Sequence, residues 1–134
     1  MSSGTETNAI YMVAYFRSYP PGDPFHWGLY VKTSDESTSP GTLFHVKQDP
    51  GWQYEQKDHF IEHSQRAVTA AKIGYVPFGT TQHELETLFR SVPIGKSENY
   101  TEEWRCNIWV RDATHLLISK GSCFHAVLSF TSSP

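Results

Sequence analysis

The chain is poor in several things that would have decided its class at once. Its 134 residues include only two cysteines, Cys106 and Cys123. That is too few for a disulfide scaffold, and no bridge between them is expected in a reducing compartment. No apolar run approaches the roughly 20 residues that span a bilayer; even stretches such as Ile10 to Phe16 fall far short. Basic residues are outnumbered, eleven against fourteen acidic, for a formal charge of −3. A nucleic-acid or anionic-membrane surface is therefore not the expected partner. No glycine-rich phosphate cradle is present. The first ten residues, MSSGTETNAI, lack the basic start and apolar stretch of a secretory leader, so a cytoplasmic protein is expected. Aromatic residues, by contrast, are plentiful at 14%. A core or cleft rich in rings follows.

Residues 1–9 read as a disordered polar tail and 10–134 as a single domain, since no repeat, low-complexity block or long linker divides them. The apolar and β-branched runs predict strands over Ile10–Phe16, Phe25–Lys32 and Thr42–Lys47, with further strands over Trp52–Phe60 and Ala67–Val76. Gly22, Gly41 and Gly51 read as turn residues. Thr81-Gln82-His83-Glu84 is a capping box, and Leu85, Leu88 and Phe89 continue at helical spacing. A second helix is expected from near Thr101, with Glu102 and Glu103 in its first turn and Gly121 at its end. Its buried stripe would be Cys106, Trp109, Val110, Ala113 and Leu117. Phe124–Phe130 adds a possible last strand. The order, strands then helices, predicts an α+β fold: an antiparallel sheet packed against two or three helices.

Three residues carry the chemistry. His26, Gly28 and Tyr30 share one face of the second strand, and His45 lies on the next. Cys106 lies near the start of a helix expected to cross that sheet. A thiol attacks as thiolate, and a helix amino end and a nearby imidazole both favour that form. A further polar group then orients the imidazole.

The strings HWGLYV, LFHV and RCNIWV, in that order, resemble the circularly permuted branch of the papain-like thiol enzymes. That branch includes the lecithin retinol acyltransferase-like proteins and relatives of the NlpC-type cell-wall peptidases, and the small fungal members look most similar. The resemblance runs from Tyr15 to Leu117. It implies a single papain-like domain over 10–134, a permuted papain-like core with Cys106 as nucleophile, His26 as general base and His45 as its orienting partner. The implied activity is acyl chemistry on an amide, ester or thioester, by hydrolysis or transfer, with no cofactor or metal and a small-molecule or peptide substrate. Trp27, Tyr30 and Arg105 are candidates for substrate or oxyanion contacts. The sequence departs from the family pattern at two positions. Gly28 stands where alanine is usual, which is expected only to open space. Arg105 stands where asparagine is common, and its charge could support the thiolate. No apolar C-terminal anchor follows, so insertion into a membrane is not implied.

Two other readings compete. The same cleft could bind a small molecule or peptide, or serve as an interaction module, without turnover. His59-Phe60-Ile61-Glu62-His63 also matches an inverted zinc-peptidase pattern. That pattern needs a helix, which Asp58 would cap and Ala67, Ala70 and Ala71 would continue. On a strand His59 and His63 would stand about 13 Å apart, too far for one ion.

Overall fold

A computed structural model of the chain describes residues 6–16, 25–36, 38–48, 50–61, 67–120 and 123–124. Strands β1 (Ala9–Phe16), β2 (Phe25–Val31), β3 (Gly41–Gln48), β4 (Trp52–His59) and β5 (Ala67–Tyr75) precede helices α1 (Gln82–Arg90) and α2 (Cys106–Ser119). A two-residue strand β6 (Cys123–Phe124) closes the order. All pairings are antiparallel, in the order β4-β3-β2-β1-β5-β6. The fold is α+β, as the strand-then-helix pattern predicts. Of the possible last strand, Phe124 pairs with Gly74, and residues 125–130 lie outside the described residues. Among the described residues no helix is long and apolar enough to cross a membrane.

Period-two alternation divides the sheet into two faces. Leu29 and Val31 of β2 join Ile10 of β1, Phe44 and Val46 of β3, and the buried stripes of both helices. Phe44, Phe89 and Trp109 form the aromatic centre, with ring centroids 4.7 Å apart for the first pair and 6.0 Å for Phe89–Trp109. Helix α1 starts where the capping box places it. Glu84 N–H donates to Thr81 Oγ1, and Thr81 N–H donates to Glu84 Oε1. The opposite face carries a smaller cluster of Val13, Tyr30, Leu43 and Ile61. Both helices therefore cover one face, and the alternate residues of β2, including His26 and Gly28, lie on the other. The Cys106 helix packs on the histidine-bearing sheet as expected, against the face opposite the His26 and Gly28 positions.

The start of α2 is corrected, from near Thr101 to Cys106. Arg105 is extended, with φ −148° and ψ −179°, and the Trp104 ring stands edge-on to Trp52 at 5.2 Å. Packing of that indole holds the approach to the helix open, so Glu102 and Glu103 lie before the first turn. The stripe of Cys106, Trp109, Val110, Ala113 and Leu117 is buried as its spacing predicts.

Gly41 is the first residue of β3 rather than a turn residue, and a side chain there would collide with the Tyr30 phenol. Gly28 does not open space either. A Cβ at that position would lie 3.0 Å from Leu43 Cδ1 and 3.2 Å from His45 Cβ. The space an alanine would need is already filled.

Candidate functional site

The register builds the site. Tyr15 pairs with His26, Gly28 with His45, and His45 with Glu55. Residues directly opposite in an antiparallel pair project to the same face, so these five share the side away from the helices. Gly28 lets the two imidazoles approach, because any larger residue there would meet His45.

The rings form a chain of short contacts. His26 Nε2 lies 2.6 Å from His45 Nδ1, and His45 Nε2 lies 2.7 Å from Glu55 Oε1. Glu55 Oε2 accepts from Lys47 Nζ at 3.0 Å. Burial holds the His45 pKa below its ordinary value, over the opposing pull of Glu55, so the ring is neutral near pH 7. The hydrogen bond from Lys47, and then that from His45, holds the Glu55 carboxyl below the usual range despite partial burial.

These protonation states fix the tautomers. A carboxylate can only accept, so His45 Nε2 carries the hydrogen and its Nδ1 has the lone pair. His26 Nε2 must then donate to that lone pair. With its hydrogen on Nε2, a neutral His26 ring has its lone pair on Nδ1. Glu55 was not singled out from the sequence. Counting outward from the tight connection between Gln48 and Trp52 would have set it opposite His45.

Cys106 meets this chain from the other side. It is the first residue of α2, where backbone amides point outward and the helix dipole is positive. Arg105 caps none of them with its side chain. The β2–β3 pairing runs out at Gly28 and His45, and the next amide along β2, that of Trp27, donates to Cys106 Sγ at 3.5 Å. Two covalent bonds separate that nitrogen from the His26 Cα, which puts the sulfur within about 6 Å of it. The sulfur thus approaches β2 just beyond its last pairing with β3. Cys106 is buried, only 1% exposed.

The remaining candidates resolve as follows. Trp27 contributes its amide to the sulfur, while its ring packs against Phe25 and the helix-side core. The Tyr30 hydroxyl donates to His59 O at 2.8 Å and accepts from Gly41 N–H at 3.0 Å. Its bonds tie β2 to β3 and β4, which corrects the oxyanion role. The Arg105 guanidinium pairs with Glu103 at 3.2 Å, so its charge is matched there. The zinc pattern fails in its first half, because His59 ends strand β4 instead of starting a helix. Asp58 lies on β4, and Ala67, Ala70 and Ala71 on β5. Glu62 and His63 lie outside the described residues. Among the described residues no group of three or more His, Cys, Asp or Glu is placed to hold a metal ion.

Sequence reasoning also passed over Tyr15. Its ring lies 6.4 Å from His26 and 5.8 Å from His59. Its hydroxyl is buried without a hydrogen-bond partner among the described residues, and burial raises its pKa, keeping it a neutral donor.

A family described as "Family of unknown function (DUF6540)" matches residues 10–123. No curated protein and no solved structure matches the chain.

Proposed function

The chain belongs to that family, whose description names no activity, and we propose from its own residues that it is a cysteine-dependent acyl hydrolase or acyltransferase of the permuted papain-like kind. One observation carries the reading: the Glu55–His45–His26 hydrogen-bond chain ends on the residue whose following amide touches Cys106 Sγ. The order His26, His45, Cys106 along the chain supports it as well.

In the proposed reaction His26 Nδ1 takes the thiol proton as Cys106 Sγ attacks the carbonyl carbon of an amide, ester or thioester. The carbonyl π electrons move onto oxygen, and the amides at the start of α2 stabilise the negative charge. The tetrahedral adduct collapses. The bond to the leaving nitrogen, oxygen or sulfur breaks, and the His26 imidazolium returns its proton to that atom. Water or a second nucleophile, deprotonated by His26, then attacks the acyl-cysteine and regenerates the thiol. His45 and Glu55 act as positioning residues, holding His26 in the tautomer the first step needs. A working thiolate needs a reducing setting, so the proposed place of action is the cytoplasm.

The near-complete burial of Cys106 favours a second reading, in which the same fold binds a ligand or partner and the thiol is a core group accepting the Trp27 amide. Alkylation separates the two. A catalytic thiol reacts with iodoacetamide faster at Cys106 than at Cys123, with a rate midpoint well below the ordinary thiol pKa of about 8.5. His26→Ala removes the difference. Incubation with p-nitrophenyl acetate leaves an acetyl group on the Cys106 peptide. Slow, equal alkylation of both cysteines at every pH, with no acyl adduct, would defeat the catalytic reading.

A further inference from the structure

Trp104 stands two residues ahead of Cys106, and the backbone between them decides where both side chains go. Arg105 is fully extended, so alternate residues project to the same side of the chain. Glu103 and Arg105 take the outer side, where their charges pair at 3.2 Å. Trp104 and Cys106 take the inner side and pack into the same core cluster. At about 3.3 Å of rise per residue, their Cα atoms are about 6.6 Å apart. The indole and the thiol thus lie side by side.

The indole nitrogen carries a hydrogen that the fold does not use. Trp104 Nε1 is buried and has no acceptor among the described residues. An indole N–H can only donate, so leaving it unmatched away from water is costly until an acceptor arrives. Trp109 carries the same kind of unmatched N–H. Its ring, however, is 0% exposed and lies against Tyr54 and Phe89 in the core, where no ligand enters. Trp104 is only half-buried, on the margin of that cluster. Its ring is held edge-on to Trp52 at 5.2 Å, so the donor is fixed in place before any acceptor comes.

The first turn of α2 shows what such a donor adds. Ile108 N–H and Trp109 N–H both donate to Arg105 O, at 3.0 and 3.2 Å. At most the two preceding amides, of Cys106 and Asn107, can face an oxygen beside the sulfur. A side-chain donor fixed on the sulfur's side of the chain strengthens a place where negative charge develops on oxygen. Resting on the acyl chemistry proposed above, we propose that Trp104 is a further catalytic residue, whose Nε1–H donates to the substrate carbonyl oxygen and to the oxyanion formed when Cys106 attacks.

Two reactions of Cys106 separate a donor to oxygen from a packing role. Attack on p-nitrophenyl acetate moves the carbonyl π pair onto oxygen, and its return expels p-nitrophenolate. Alkylation by iodoacetamide forms the S–C bond at a methylene carbon as iodide leaves, with no charge gathered on oxygen. Trp104→Phe keeps a ring beside Trp52 and removes the donor. First-turnover release of p-nitrophenolate should then fall about a hundredfold, while the Cys106 alkylation rate stays near native. A second measurement needs no substitution and decides the matter if that variant does not fold. Acetaldehyde adds to the native thiol: the S–C bond forms, the π pair moves to oxygen, and the thiol proton ends there. That oxygen should draw the Trp104 indole N–H signal downfield in nitrogen-15-labelled protein. Release at the native rate in Trp104→Phe, equal losses in both reactions, or an indole signal unmoved by the hemithioacetal would overturn the role of Trp104 alone. Native protein that gives no burst of p-nitrophenolate and alkylates no faster at Cys106 than at Cys123 refutes the catalytic reading itself, and the donor role falls with it.

Discussion

Replacing Glu55 by alanine tests the hydrogen-bond chain at its outer end. The carboxylate accepts from His45 Nε2 at 2.7 Å, and the imidazole it supports is 5% exposed. A hydrogen bond to a charged group contributes about 1.5–3 kcal/mol. The Glu55 side chain is 31% exposed, so water can replace part of what is lost. The lower end, about 1.5–2 kcal/mol, is therefore expected. The Lys47 pair, at 41% exposure of the lysine, adds a few tenths at most. For a domain of this size the loss is a fall in Tm of about 5–8 °C, or of about 1 M in urea midpoint for a slope near 1.5 kcal/mol/M. Urea denaturation at pH 7 measures it, and nitrogen-15 spectra of the histidines report the tautomer. In the native protein His45 should carry its hydrogen on Nε2; in Glu55→Ala that preference should disappear. A loss below about 0.5 kcal/mol with the tautomer unchanged would refute the relay.

Other outcomes follow from the same geometry. Because burial depresses the His45 pKa in the folded state, the unfolded chain binds the extra proton first. The contribution of His45 to stability should be complete above about pH 6.5 and lost as pH falls through its lower folded value; His45→Gln should flatten that part of a pH–urea series. Tyr30→Phe strands the His59 carbonyl and the Gly41 amide and should cost about 2 kcal/mol in urea denaturation. Its Cys106 alkylation rate should match the native one, since the hydroxyl ties strands together; a large drop in that rate would restore it to the site. Gly28→Ala gains about 0.5–1 kcal/mol in backbone entropy but overpacks against Leu43 and His45 by about 1–3 kcal/mol. A net destabilisation of about 1 kcal/mol is expected, with disturbed His26 and His45 ring signals; unchanged signals would show that Leu43 absorbs the methyl alone.

The expectations that succeeded rest on local chemistry. The capping box at Thr81 and Glu84 involves four consecutive residues, and the buried stripe of α2 depends only on helical period. The expectations that failed depend on remote partners. Glu102 and Glu103 suit a helix start, yet Trp104 packs on Trp52 from another part of the chain and delays the first turn to Cys106. Gly41 reads as punctuation until the Tyr30 phenol occupies the place of its side chain. Glu55 looks like one more surface carboxylate on a polar strand, and only its pairing with His45 distinguishes it.

The amino-acid order alone determined which side chains alternate to a common face of each strand, which residues α2 buries, and that His26 and His45 precede Cys106. These follow from backbone periodicity and short-range hydrogen bonding, which are written into a few neighbouring residues. Which face the helices cover, where the β2–β3 ladder ends and leaves the Trp27 amide to a sulfur 79 positions away, and which carboxylate meets His45 were decided by tertiary packing. Those choices come from burying apolar surface across the whole chain at once, a sum no local window contains.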